Sequence, residues 1–505
     1  MTVQYINLPK FKQQQLNVNF SARQKNLFIR GFWILCGVSF WIIMTANTNF
    51  ISILSALIIA TVALYPSYLW CRDRAKGLPL FPLLALNYLF THSFPLVSDN
   101  PAIAQYSPTE HFVASLGVAS FLGLATVMWM PYVSKTKPNA VRMKEFNRKQ
   151  VFGFFICILI LGIFYQIVSS LGYLWLVLPS SVISAIKVIT GGLNAFAIIT
   201  LSYLMGSKTL NRMQVIFFVS VVAVLVFVAG ASLYLNIPGF YVLFASMGWM
   251  FAAKKIPWRL LLVSFLIIAF LNIGKGTTRH YYWGMRNAGV RPSEYVRVYQ
   301  YWIHNSLEEI RQPTQDILGQ ELDEEADQSS LTNRSSVVHM LMKVQTETGT
   351  EKPYMWGETY SIIPQLLVPR VLNSDKIRGA EANHMLSVHY GLQTYNQTLI
   401  TSIGWGLLQE AYANFGWLGC LGLGVFLGNL YGWVTRWSMN VSSLSFRFMV
   451  ALIFMTLAFK GEITMGIFIT VIFQSLVILL AIRMLLMKTQ FNNSAIYEQK
   501  IHQSF

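Results

Sequence analysis

The chain has 505 residues, of which 54% are hydrophobic and only 12% are charged. Soluble domains carry about 25% charged residues, so the composition excludes an ordinary soluble enzyme. The formal charge of +17 suggests nucleic acid or anionic lipid as a partner, and the four cysteines show neither a disulfide framework nor paired metal-ligand spacing.

Apolar runs near 20 residues long recur along the chain, which is the length that a membrane-spanning helix needs. The alternating segments of about 10 residues that indicate an outer-membrane barrel are not seen. The sequence therefore predicts an all-α, polytopic membrane helix bundle of about 12 transmembrane helices. The first apolar run lacks a cleavage pattern and is interpreted as a retained helix. The predicted spans are 28–45, 51–70, 79–95, 112–133, 150–170, 182–205, 213–232, 238–253, 258–273, 416–435, 446–461 and 463–483.

Lys and Arg occur in every other loop between these spans, and the intervening loops are nearly free of them. This alternation is the positive-inside pattern, and it predicts a multi-pass membrane protein with both termini in the cytoplasm. The basic residues then set orientation and contact membrane lipids, so no nucleic acid partner is expected. The basic loops include Lys10–Arg30, Arg72–Lys76, Lys135–Lys149, Lys254–Arg259 and Arg436–Arg447.

One long loop breaks the pattern on the outer side of the membrane. Residues 274–400 hold 14 of the 21 acidic residues and five of the eight His. Long loops are translocated largely regardless of their charge. The chain is therefore predicted to have a nine-span membrane region (1–273), an extracytoplasmic catalytic loop region (274–415) and a three-span region with a cytoplasmic tail (416–505).

A first cationic cluster opens this loop. A guanidinium can grip phosphate oxygens with two hydrogen bonds, so the cluster suits a diphosphate at the membrane surface. The alternative is anchoring to lipid head groups, with neighbouring aromatic residues forming an interfacial belt. The residues predicted to bind diphosphate here are Arg279, Arg286 and Arg291.

A second cluster, at residues 368–391, combines cations with groups that exchange protons near neutral pH. It follows the apolar stretch SIIPQLLVPR, which indicates that the charges are held against a hydrophobic surface. A solvated loop is the alternative. Its diphosphate-binding candidates are Arg370, Lys376 and Arg378, and its candidates for a general base are Glu381, His384 and His389.

Glu410 lies in an apolar helix that enters the bilayer, where a carboxylate is costly unless it faces a cavity or a partner. It is predicted to be either a general base or a structural partner of a loop arginine. Gly424, Gly428 and Gly432 form a GxxxG face that predicts close helix packing. No nucleotide, phosphate-loop or metalloprotease motif occurs.

Two short elements resemble the Wzy-type oligosaccharide repeat-unit polymerases, which make O-antigen, capsule and exopolysaccharide. The first is a Pro-Arg pair before a Lys-containing run, and the resemblance is clearest over residues 356–419. The second is Glu-Ala-Tyr…Asn-Phe-Gly…Gly. The matching residues are Pro369, Arg370, Lys376, Glu410, Ala411, Tyr412, Asn414, Phe415, Gly416 and Gly419.

The resemblance implies a membrane glycosyltransferase, similar to the glycosyltransferase C type, that joins oligosaccharides linked to undecaprenyl or another polyprenyl diphosphate. The lipid diphosphate is the leaving group, so no cofactor and no metal are expected. A chain-length regulator is an expected protein partner. The cationic clusters would stabilise the diphosphate, and His384, His389, Glu381 or Glu410 would assist the attacking hydroxyl.

The sequence is also compatible with two other functions. An O-antigen ligase would deliver the glycan to a lipid or another acceptor, and topology does not separate it from a polymerase. A lipid-linked sugar transporter would carry charged residues along several inner helices through the bilayer, whereas charge here concentrates at one face.

Overall fold

A computed structural model describes residues 22–137, 142–146, 148–171, 174, 178–285, 290–311, 336–368, 373 and 376–491. The described residues are almost entirely helical. In the first part of the chain the helices are α1 Ala22–Met44, α2 Phe50–Cys71, α3 Leu80–Tyr88, α4 Pro101–Ala104, α5 Pro108–Val133, α6 Arg148–Ser170, α7 Ser180–Gly206, α8 Arg212–Gly230, α9 Asn236–Ala253 and α10 Trp258–Ile273. Helix α3 continues as a π turn (Leu89–Ser93) and a 3-10 turn (Phe94–Val97).

The predicted outer loop contains several short helices. They are α11 Lys275–Arg279, α12 Tyr295–Arg311, α13 Val338–Glu347, α14 Glu358–Ser361, α15 Ile363–Leu367, α16 Glu381–His389 and α17 Tyr395–Ile400. A π turn follows α11 (His280–Met285), and a 3-10 turn (Pro292–Glu294) precedes α12. Three long helices complete the chain: α18 Leu407–Trp437, α19 Phe446–Ala458 and α20 Met465–Leu485.

The described part of the chain contains eight helices long and apolar enough to cross a membrane, or nine if the pair α10 and α11, bent by 63°, counts as one span. The prediction of an all-α multi-pass membrane protein is therefore confirmed. The remaining predicted spans fall on α7, α9 and α19, which are also helical.

The basic loops meet at one end of the bundle. Two short strands, β1 Arg142–Phe146 and β2 Met487–Phe491, pair in antiparallel register there. The Lys76 N–H donates to the Val133 carbonyl (2.8 Å), and the Phe146 N–H donates to the Leu444 carbonyl (3.2 Å). Loops that the alternation of charge assigns to one side thus lie together.

Helices α5 and α18 pack closely against each other. A Cβ added to Gly424 would lie 2.7 Å from the Phe121 carbonyl, and one added to Gly428 would lie 2.4 Å from the Ala125 carbonyl. Only glycine permits so close an approach of two backbones. The GxxxG face predicted from the sequence is therefore confirmed, and it fixes the position of α18 in the bundle.

Candidate active site at the outer end of the bundle

The end of the bundle opposite the basic loops is the one that the sequence predicts to face outward, and it is called the outer end. Its polar centre is the start of α20. The first N–H groups of a helix have no partner within the helix and need acceptors from elsewhere. The Met465 N–H donates to Oε2 of Glu410 at 2.5 Å, so a carboxylate on α18 caps α20. The Thr464 hydroxyl donates to Oδ1 of Asn383 at 2.9 Å, which ties α16 to the same point.

Glu410 is fully buried in the first turn of α18. Asn414, one turn later, donates from Nδ2 to the Thr359 hydroxyl (2.9 Å), and Thr359 lies beside the Glu410 carboxylate. Among the described residues, the neighbours of the Glu410 carboxylate are therefore the Met465 N–H and Thr359. The sequence had suggested a loop arginine in this position. Glu410 therefore satisfies a backbone N–H at the start of α20 that has no partner within the helix.

His384 and Glu381 are two neighbouring ionisable residues of the outer end. They lie one turn apart on α16, and His384 Nδ1 is 3.7 Å from Glu381 Oε2. His384 is 4% exposed, and its Nδ1 has no hydrogen-bond partner among the described residues. The separation is longer than a hydrogen bond. The ring and the carboxylate therefore lie close together without a direct hydrogen bond between them.

His389 lies at the other end of α16 in a different environment. Its Nε2 is 3.2 Å from the Pro353 carbonyl, and the following residue, Tyr390, shares a hydrogen bond of 2.7 Å with Thr348. Trp405 donates from Nε1 to the Ser387 hydroxyl at 3.0 Å. The C-terminal half of α16 is thus anchored to loops, and His389 belongs to that anchorage.

The cations of the second cluster precede α16. The Arg378 side chain is exposed and donates to the Leu399 carbonyl at 3.2 Å, while its own carbonyl accepts the Glu381 N–H at 3.1 Å. Lys376 is half-buried. Arg370 lies outside the described residues. Arg378 and Lys376 therefore lie just ahead of the start of α16, whose N-terminus also favours anions.

The first cluster lies on a different part of the outer end. The Arg279 guanidinium donates to the Leu233 carbonyl at 2.8 and 3.2 Å and contacts the rings of Tyr234 and Trp283, with centroids 5.3 and 4.5 Å away. These contacts fasten the bend after α10 to the turn between α8 and α9. Arg291 is exposed at the start of the turn that precedes α12. Arg286 lies outside the described residues.

An aromatic-lined groove of about 370 Å³ lies next to Glu410. Met465, whose N–H binds Glu410, is part of its wall, as is Tyr360. Burial raises the pKa of Tyr360 above its usual range, and the nearby Glu410 carboxylate adds to this effect, so the hydroxyl stays protonated. The groove continues down one face of α18 through Ala411, Phe415, Leu418, Gly419, Gly422, Leu423 and Phe426.

Neutral residues that the sequence did not single out organise this region. Asn383, Thr464 and Thr359 connect the ionisable groups to the helices that carry them. Thr464 directly precedes an apolar run, which is a signal for a helix start that the sequence offers. Nothing in the sequence pairs Asn383 with it, because that contact joins residues 81 positions apart.

Comparison of the chain with protein-family models, with curated proteins and with solved structures gives no match. The geometry of the site is therefore the basis for the function proposed.

Proposed function

We propose that this protein polymerises oligosaccharide repeat units carried on a polyprenyl diphosphate, at the outer face of a bacterial inner membrane. The observation that carries the proposal is the buried His384 beside the half-buried Glu381, directly after a cationic run at the end of the bundle opposite the basic loops. The proposal includes twelve spans, cytoplasmic termini and a glycosyltransferase C-type architecture.

In the proposed reaction, His384 removes the proton from a sugar hydroxyl of the acceptor unit. The hydroxyl oxygen attacks the anomeric carbon of the donor, and the bond from that carbon to the diphosphate oxygen breaks. The electron pair leaves with the lipid diphosphate, so one displacement forms the glycosidic bond and inverts the anomeric centre. Glu381 stabilises the imidazolium that results.

Arg378 and Lys376, together with Arg370, are the cations assigned to the departing diphosphate. Stabilising charge that develops in the transition state lowers the barrier more than any binding of the ground state. Glu410 holds α16, α18 and α20 in place through the start of α20 and is assigned no proton transfer. Arg279 is assigned to the structure of the outer surface, because its contacts join two turns.

The test replaces His384 by Gln, which keeps a polar side chain of similar size but is not a base. In cells that make the lipid-linked repeat unit, H384Q is expected to leave single units in place of long chains. Loss of a general base lowers the rate by about 10²–10⁴-fold. His304→Gln is the matched control, because His304 is exposed on α12 and pairs only locally, with Glu308 at 3.2 Å.

Long chains that accumulate without transfer to an acceptor in H384Q cells would instead identify a ligase. Long chains of normal length, attached normally, would remove His384 from the mechanism. Immunoblots of membranes for both variants show whether the protein is present in equal amount.

A further inference from the structure

The groove beside Glu410 extends along α18 within the stretch of that helix that is long and apolar enough to span a membrane. From Leu418 onward its wall on α18 consists of Leu418, Gly419, Gly422, Leu423 and Phe426, which recur every three to four residues in adjacent pairs and so lie on one helix face. From Leu418 to Phe426 the helix rises about 12 Å at 1.5 Å per residue, close to the depth of one hydrocarbon leaflet of about 15 Å.

The groove has an aromatic mouth and an open side. Trp356 is 74% exposed at the mouth, and Leu418 is 77% exposed along the side. The rings of Tyr354 and Trp356 lie 5.6 Å apart, and Tyr360 stacks on Phe415 at 6.0 Å. Rigid aromatic faces give a large apolar contact area without loss of side-chain freedom.

The loop that carries Trp356 is built into the wall. Trp356 and Gly357 both have positive φ, 46° and 88°, so the chain turns sharply and directs the indole outward. The Met355 and Trp356 N–H groups donate to the carbonyls of Ala413 and Asn414 at 3.1 and 3.2 Å. A non-glycine residue with positive φ is a strained position that persists when its surroundings fix it.

We propose that this groove holds the isoprenoid chain of the polyprenyl diphosphate, with the diphosphate at its aromatic mouth. The inference rests on the proposed function. A lipid whose head reacts beside α16 must have its chain in the bilayer nearby, and the groove leads from the start of α20 into the membrane-spanning part of α18. Met465 belongs to both the groove wall and the polar centre, so the two are continuous.

Gly422 allows the groove to be filled without disturbing the bundle. A Cβ added to Gly422 meets no atom within 4 Å, whereas one added to Gly419 would lie 2.0 Å from the Ala411 carbonyl. Gly422→Phe therefore projects a ring into the groove. The matched control is Gly153→Phe on α6, because Gly153 is also exposed and open and does not line this groove.

The experiment uses the purified full-length protein in lipid nanodiscs and a polyprenyl diphosphate that carries a diazirine on an isoprene unit near the head. Irradiation is expected to cross-link the probe to residues 411–426. The yield is expected to fall about tenfold or more in G422F, since losing contact with two methylene-sized groups costs that much affinity. G153F is expected to match the unaltered protein.

Equal cross-linking in G422F and in the unaltered protein would overturn the inference. So would equal competition by phosphatidylglycerol, because the groove would then be filled by bulk lipid. Cross-linking needs no turnover, so it succeeds or fails independently of the polymerase assay. Chain lengthening at the normal rate by G422F would leave the proposed function standing and remove the groove from it.

Discussion

Burial determines which ionisable side chains at the outer end stay neutral. His339 lies on α13, a helix that contacts both α5 and α18, and its Nδ1 is 3.3 Å from the Ser336 hydroxyl. Burial lowers the pKa of His339 to about 4. The ordinary value is about 6.5, so the ring is uncharged in the folded protein throughout the neutral range.

This lowered pKa predicts a loss of stability in acid. Between about pH 6.5 and pH 4, the unfolded chain binds a proton at His339 that the folded chain does not. The free energy of unfolding therefore falls as pH drops through that window, by at most about 3 kcal/mol. Above about pH 6.5 neither the folded nor the unfolded chain binds this proton, so His339 adds no pH dependence to the free energy of unfolding there. Thermal unfolding in detergent between pH 7.5 and pH 4.5 measures this fall.

His339→Gln is expected to reduce this pH dependence, since glutamine does not titrate. His304→Gln is the control and is expected to keep it, because His304 is 64% exposed. A steep acid loss that is the same in H339Q and in the unaltered protein would show that another group titrates.

The sequence identified several site residues but not the differences between them. The sequence singled out His384, Glu381 and Glu410 because ionisable groups are rare in a chain that is 54% hydrophobic. It did not separate His384 from His389, since their difference lies in burial and in the partner Pro353, both products of tertiary packing.

At the scale of elements, the break in α18 shapes the site. Gly416 has φ 58° and ψ −137°, a conformation that is non-helical and open to glycine. The carbonyls of Ala413 and Asn414 lie just before this break. They accept hydrogen bonds from the backbone N–H groups of Met355 and Trp356. The break therefore positions the aromatic mouth of the groove.

Replacing Gly416 by Ala is expected to destabilise the protein by about 1–3 kcal/mol, the usual cost of holding a non-glycine residue in such a conformation. The added Cβ would also lie 3.1 Å from the Tyr354 ring. The measurement is the unfolding midpoint in detergent. Gly422→Ala is the control, since it adds the same methyl group to open space and favours the helix. Equal unfolding midpoints for the two variants would show that alanine adopts the conformation at residue 416 without a cost in stability.

Hydrophobic periodicity predicted the long helices well but placed one boundary differently. The last long loop was predicted to end at residue 415, whereas α18 begins at Leu407. Gln409, Glu410 and Asn414 lie in the first two turns of α18 and are fully buried. Segments distant in the chain supply their contacts, which the local sequence does not reveal.

At the scale of the whole molecule, the bundle separates two kinds of charge. One end collects the basic loops and the β1–β2 pair, and the other collects His384, Glu381 and the short helices of the long loop. Alternating loop charge in the sequence was enough to predict this separation. The meeting of α16, α18 and α20 was not predictable, because residues far apart in the chain form it.

The most direct test of the central claim is chain lengthening by the purified protein in vesicles, supplied only with polyprenyl-diphosphate-linked repeat units. We expect a ladder of longer glycans and release of one polyprenyl diphosphate for each bond formed, with neither product in H384Q. Substrate that stays as single units with the unaltered protein, or that only moves across the bilayer, would contradict the account.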